Sequence, residues 1–462
     1  MRGQTASTAT TPACGSTAPG TTTKDRAGSI VAASMAAGLV AAVVLVAAPF
    51  VPARENVLTG VVLLGFALGW ALLAVLSVRF SDRPQRWAVA PAAFMAAFMA
   101  VAGLASLSGS ATVHTVLGWV WPPVLLGLVV WTFLRARRRR RARSARWLLY
   151  PVMAALAISS VGGGYETVRE WLDARAYPMP GQLVDVGGHR LHLHCTGSGG
   201  PTVVLEPGLG GSSSDLGWIA PAVARDTRVC VYDRAGRGWS DATDGPQDGA
   251  HVAADLHTLL ERAHVPGRYV LAGHSFGGLY VLSFAAQFPD QVAGLVLLDS
   301  TAPQPGPAAP TTPEPDHLVG RVCALLPALA HLAAARLLAQ MSYDTLPPPS
   351  LGEARAHSAT ARHLHSFLTE SLAGAASTQQ ASTLTNLDGK PLIVLTADTG
   401  HDTHWQSAQN HLATLSTNSL HRIAHATTHA SLTDDQADSA AASQAIRDVV
   451  ASVATSHPLA PR

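Results

Sequence analysis

The sequence predicts two architectures in one chain. From Gln182 to the carboxy terminus it reads as an α/β fold with a mostly parallel sheet, and before that as an all-α transmembrane module of about five helices. Three observations carry this. Long stretches of the first third contain no Asp, Glu, Lys or Arg. After residue 181, short apolar runs alternate with helix-length segments, the pattern of a parallel sheet wrapped by helices. A Gly-x-Ser-x-Gly pattern, Gly273-His274-Ser275-Phe276-Gly277, falls where one such run passes into a helix.

A chain of 462 residues exceeds one ordinary domain. Apolar residues make up 48% of it and charged residues 13%, with mean hydropathy +0.21, whereas soluble domains carry about a quarter charged residues. The net charge of +2 hides a clustering of basic residues, and 20 His exceed any catalytic need.

Residues 1–27, rich in Thr, Ser, Ala, Gly and Pro, offer no packed face and read as a disordered tail. The apolar stretch starts too late for a cleaved signal peptide, and further spans follow it. Residues 28–165 form the membrane module. Uncharged runs cover 27–53, 56–78 and 87–134, the last long enough for two helices with Ser108-Gly109-Ser110 as the turn. A fifth run, 147–165, ends in Gly162-Gly163-Gly164, with Trp147 and Tyr165 at its two ends. Each span is close to the ~20 residues that cross about 30 Å of hydrocarbon. Arg135, Arg137 to Arg141, Arg143 and Arg146 separate spans four and five; Arg79, Arg83 and Arg86 separate spans two and three. The Arg-rich loops are cytoplasmic by the positive-inside rule, so an odd number of spans places the following domain outside the cell membrane. Between two spans, the Arg run is a topology signal rather than a nucleic-acid patch.

Residues 166–181 read as a linker, and 182–462 as the catalytic domain. Residues 183–186 and 190–195 flank Gly187-Gly188 as a hairpin. Strands follow at 202–205, 228–232, 269–272, 295–298 and 392–395. The segment 301–389 is a long insertion before the 392–395 strand, and its Leu- and Ala-rich part, 317–341, reads as helices.

The chemistry needs the two glycines around Ser275. A serine on a tight strand-to-helix turn projects its hydroxyl above the sheet, where flanking side chains would collide. The base must be a downstream histidine, because a serine hydroxyl is a weak nucleophile until a neighbour takes its proton. His429 is chosen over His401, His404, His411, His421 and His425, with His425 the alternative, because it follows the last strand and precedes the closing helix. For the acid that orients it, Asp402 is favoured, with Asp398 and Asp299 as alternatives. The oxyanion donors are the amides of Phe276 and Leu209.

These residues resemble the α/β-hydrolase superfamily. The matching landmarks are 201–211, 231–241, 273–278 and 294–299, and the resemblance covers residue 182 to the end. It implies an α/β-hydrolase fold: an eight-stranded sheet, a helical cap inserted after the sixth strand and formed by 301–389, which shapes the pocket, and Ser275, Asp402 and His429 as nucleophile, acid and base. Pro207-Gly208 stands where the family often has His-Gly, and the acid loop is longer than usual, which puts Asp402 in question. Members that open epoxides or remove halides carry Asp at the elbow, and Ser275 argues against both. The segment 233–241 reads as a structural turn. Cys195 and Cys230 lie on strands that neighbour each other in the family's strand order, which implies a disulfide in an oxidising space. No zinc-enzyme spacing such as His-Glu-x-x-His occurs, so no metal and no cofactor is expected.

The expected function is a membrane-anchored serine hydrolase acting on a lipophilic ester, thioester or amide, with the lipid bilayer as its other partner and no nucleic acid. An acyltransferase with the same triad is one alternative. A non-catalytic binding module is another, although it would have no use for both Ser275 and His429.

Overall fold

The computed structural model describes residues 27–81, 84–108, 111–138, 143–303 and 318–460. The expected tail with Cys14, Gly109 and Ser110 of the predicted turn, Arg83, Arg139 to Arg141, and cap residues 304–317 lie outside the described residues.

The amino-terminal module consists of helices α1 (Ala27–Ala47), α2 (Glu55–Phe80), α3 (Val89–Ser108), α4 (Ala111–Arg138) and α5 (Arg143–Ala176). Among the described residues, four of these are long and apolar enough to cross a membrane, within Gly28–Ala47, Glu55–Phe80, Arg86–Leu104 and Thr115–Arg135. Small residues let α1 and α2 approach closely: a Cβ added at Gly38 would meet the Gly65 carbonyl oxygen at 2.7 Å.

Helix α5, the fifth expected span, is not among the four. One face of it packs on the other helices, while Ile158 and Val161 on another face are exposed. Leu149 and Met153 are buried in one cluster with Val31, Trp70 and Leu125, and Ser160 donates to the Pro122 carbonyl at 2.6 Å.

The linker expected at 166–181 is mostly helix as well. α5 continues to Ala176 because its next turns are made of helix-compatible residues with an Arg169–Asp173 pair at i,i+4. Arg336 of the cap fastens this extension through Glu166 and Asp173, both at 2.7–2.8 Å. The helix stops just before Pro178, which disfavours helical geometry in the residue preceding it.

The carboxy-terminal domain is built on eight strands: β1 (Gln182–Asp185), β2 (Arg190–Thr196), β3 (Thr202–Glu206), β4 (Val229–Tyr232), β5 (Tyr269–His274), β6 (Val292–Leu298), β7 (Leu392–Thr399) and β8 (Ser419–Thr428). Their spatial order is β1-β2-β4-β3-β5-β6-β7-β8. The first two pairings, β1–β2 and β2–β4, are antiparallel and the rest parallel. β3 and β5 are buried along their whole length, as central strands covered on both faces must be. Cys195 and Cys230 stand opposite each other across β2 and β4, and they form a disulfide.

Both faces are covered by helices. Leu256 and Leu259 of α7 (Gly249–Arg262), preceded by α6 (Ile219–Val223), join Leu279 and Phe284 of α8 (Gly277–Gln287) on one face. On the other, Ile219 and Val223 of α6 pack with Ile446 and Val449 near the end of the chain. The cap lies between β6 and β7. It comprises α9 (Leu318–Cys323), α10 (Leu326–Ala330), α11 (Ala334–Ser342), α12 (Ser350–Ser358), α13 (Ala361–Leu372) and α14 (Gly374–Ala381). The domain closes with α15 (Thr403–Ala413), α16 (Ser431–Asp434) and α17 (Ser439–Thr455).

Candidate active site

The site forms at the carboxyl ends of the central parallel strands, where open α/β sheets bind their ligands. β5 ends at His274 and α8 begins at Gly277, leaving Ser275 on the turn with φ of 53°. That left-handed conformation is uncommon for a residue with a side chain and marks a functional turn. The glycines around it are required by space. A Cβ at Gly277 would lie 2.6 Å from the carbonyl oxygens of Glu206 and Pro207, and one at Gly273 would lie 2.6 Å from that of Gly277. The elbow is held from below: the Ser275 amide donates to the Leu298 carbonyl, and its own carbonyl accepts from Gly278 and Thr301.

His429 follows directly on β8. Its Nε2 lies 2.8 Å from Ser275 Oγ, and its Nδ1 lies 2.6 Å from Asp299 Oδ2. His274 braces it by donating from Nε2 to the His429 carbonyl at 2.9 Å. The chain of contacts therefore runs Ser275–His429–Asp299.

Asp402, favoured from sequence as the acid, lies elsewhere. It is the N-cap of α15 and accepts from the Trp405 amide at 2.9 Å, satisfying one of the helix's free donors. Asp398, the other acid considered on that loop, bonds to His425 at 3.1 Å, so the alternative base is also engaged away from Ser275. Asp299 wins by position. It stands at the very end of β6, next to β5 in the sheet, and its side chain is fully buried.

Two residues around Asp299 were not foreseen. His401, passed over as the base, has its Nε2 2.6 Å from Asp299 Oδ2, and Trp405 donates its indole N–H to Oδ1 at 2.8 Å. The backbone amide of Ala397 adds a fourth bond at 3.3 Å. Burial pushes the Asp299 carboxyl up, but the bonds from His429, Trp405 and His401 outweigh it and hold the group below the usual carboxylate range. It is therefore ionised at neutral pH and able to stabilise a charged imidazole. Asp299, His401 and His429 also offer ligand atoms within 4.8 Å of one another. Both imidazoles already converge on the single oxygen Oδ2, the geometry of a carboxylate hydrogen-bonded twice.

The loop after β3 passes beside the serine, since a Cβ at Gly208 would lie 3.2 Å from Ser275 Cβ. Its peptide groups are oriented from behind. Arg234 donates to the carbonyls of Pro207 and Gly208 at 3.0 and 2.8 Å. Arg234 also pairs with Glu206 and with Glu370 of α13. Glu370 in turn binds Arg237 at 2.7 Å and accepts from the Gly210 amide at 3.3 Å. All four charged side chains of this cluster are buried. Burial raises the Glu370 carboxyl, and the two guanidiniums more than reverse that. The Pro207 and Gly208 carbonyls are thus drawn to Arg234, and Phe276, directly after the serine, is the N-cap of α8. No signal in the sequence identified Glu370, because its partners lie more than a hundred residues away.

Comparison with known proteins agrees with this frame. Residues 201–332 match the family described as the alpha/beta hydrolase fold. An uncharacterised protein of Schizosaccharomyces pombe is 36% identical over 159 residues, 28% of this chain and 30% of its own. The 2-hydroxy-6-oxo-2,4-heptadienoate hydrolase of Pseudomonas putida is 34% identical over 126 residues, 26% of this chain and 44% of its own. Among solved structures, an esterase from Thermogutta terrifontis aligns with 22% identity and a TM-score of 0.47, covering 59% of this chain and 99% of that one. The chain spans less than half the length of these two curated relatives. The carboxy-terminal domain has the alpha/beta hydrolase fold.

Proposed function

We propose that the chain is a membrane-anchored serine hydrolase that cleaves a lipophilic acyl ester, thioester or amide through an acyl-enzyme. One observation carries the reading: the unbroken Ser275–His429–Asp299 hydrogen-bond chain at the end of a parallel sheet. Ser275 Oγ attacks the carbonyl carbon while His429 Nε2 takes its proton. Asp299 holds the Nδ1–H and stabilises the imidazolium. The oxyanion is received by the amides of Leu209 and Phe276. His429 then returns the proton to the leaving group. Water, deprotonated by the same imidazole, releases the acid from Ser275.

The anchoring part of the reading is supported by the four apolar helices and by the run of α5 through the bundle beside them. With the Arg-rich loops inside, α5 brings the domain to the outer face, and the Cys195–Cys230 disulfide suits an oxidising compartment there. The test is turnover of p-nitrophenyl acyl esters by the full chain in membranes. Hydrolysis that Ser275→Ala and His429→Ala both abolish supports the reading, and hydrolysis that survives in either variant contradicts it.

A further inference from the structure

The cap contains a segment whose polarity is inside out. In residues 318–342 the only charged side chains are Arg321 and Arg336, and both are buried, at 1% and 4% exposure. The large apolar side chains face outward instead: Leu318, Val322, Leu326 and Leu329 along α9 and α10, and Leu337, Leu338 and Met341 on α11. Leu338 is 64% exposed and Met341 76%. The two arms, Gly320–Ala330 and Ala334–Ser342, meet at 87°. An apolar face of this size on a soluble surface marks a contact with something else.

What it contacts follows from where it is tied. Arg321 donates to the carbonyls of Val46 and Val51, at the end of α1 and in the α1–α2 turn. Ala324 and Leu325 pack on Ala48 and Val51 in the same turn and on Leu58 in the first turn of α2. The carbonyls of His331 and Leu332 lie against Gly163 and Gly162, where the apolar part of α5 ends. Arg336 is fixed to Glu166 and Asp173 just beyond. Every tie is thus at the same end of the helical module, level with the ends of its apolar stretches. Neither arm is long enough to cross, since α11 has 9 residues, about 14 Å against the ~30 Å of hydrocarbon.

We infer that the bent α9–α11 segment of the cap lies in the outer surface of the bilayer, with Leu318, Val322, Leu326, Leu329, Leu337, Leu338 and Met341 at the boundary of headgroups and acyl chains. The inference rests on the membrane-anchored reading above. The segment matches the physics of an interfacial helix pair: apolar side chains enter the lipid, and the charges turn back to the protein. It continues the exposed apolar surface of α1 and α2 sideways, so this part of the cap rests on the membrane.

The test uses the full chain in phosphatidylcholine–phosphatidylglycerol nanodiscs, with Cys14 and Cys323 replaced by Ser and Ala. An environment-sensitive nitrobenzoxadiazole label is attached at Leu329→Cys or Leu338→Cys, one on each arm. Val44→Cys on α1 is the spanning control and Glu261→Cys on α7 the solvent control; all four native side chains are exposed. Spin-labelled lipids carry the quencher at a shallow or a deep acyl position. The inference predicts blue-shifted emission at 329 and 338, quenched more by shallow than by deep spin labels, with no quenching at 261. Quenching at 44 but none at 329 and 338 would overturn it and leave the anchored reading intact. Absence of quenching at 44 as well would overturn both.

Discussion

Asp299 accepts four hydrogen bonds, from His429, His401, Trp405 and the Ala397 amide, whereas Asp402 accepts a backbone bond at a helix start. The two carboxylates therefore separate cleanly by experiment. Asp299→Asn keeps the shape but loses the charge and the tautomer control, and is expected to slow reaction at Ser275 by roughly 10³–10⁴-fold. Asp402→Ala is expected to leave that rate within a few-fold and to cost about 1 kcal/mol of stability, read as a lower Tm. The opposite assignment of effects would restore Asp402 as the acid. Ser275 and His429, which lie 2.8 Å apart, could be singled out from the sequence because each is bound to a local pattern: an elbow and a last strand. The acid was not legible. Its site depends on which strand end the sheet sets beside His429, and three Asp residues end or follow candidate strands at 299, 398 and 402.

At the scale of elements, α13 reaches over the sheet to complete the cluster that holds the 207–211 loop. Removing Glu370 would leave Arg234 and Arg237 buried with one fewer carboxylate between them. Glu370→Ala is expected to destabilise the domain by roughly 3–5 kcal/mol, measured by thermal or denaturant unfolding, and to slow acylation because the Gly210 amide loses its acceptor. Wild-type stability in that variant would show the cluster to be ornamental. The strands were readable as short apolar runs, and the cap as the long insertion between the sixth and seventh. Helix α5 was misread past Tyr165 because Glu166 to Ala176 becomes polar while staying helical. Its partner on the cap, Arg336, lies 170 residues from Glu166, so only the assembled fold shows why the helix continues.

For the whole molecule, the cap, the sheet domain and the extended α5 meet around His357, whose ring packs edge-on against Trp239. Its Nδ1 is buried and finds no partner among the described residues. Burial pushes its pKa down to about 4. The folded state therefore keeps this imidazole neutral. That contribution is fully present above the unfolded value of ~6.5 and is lost as pH falls from there towards 4. Wild type is expected to lose about 1.4 kcal/mol per pH unit relative to His357→Gln across that window, seen as a converging difference in Tm. A difference that stays constant with pH would contradict a neutral His357. The separation of apolar helices from the sheet domain was legible in the charge-free runs. The way the cap bridges the two was not, because apolar cap helices read equally well as pocket walls.

The central claim is that Ser275 is an activated nucleophile in a membrane-bound chain. It is tested most directly by treating membranes containing the full chain with a fluorophosphonate probe and mapping the modified peptide by mass spectrometry. The account predicts a single phosphonylated residue, Ser275, with labelling lost in His429→Ala and slowed in Asp299→Asn. Folded wild-type protein that stays unlabelled, or that carries the label at another residue, would contradict it.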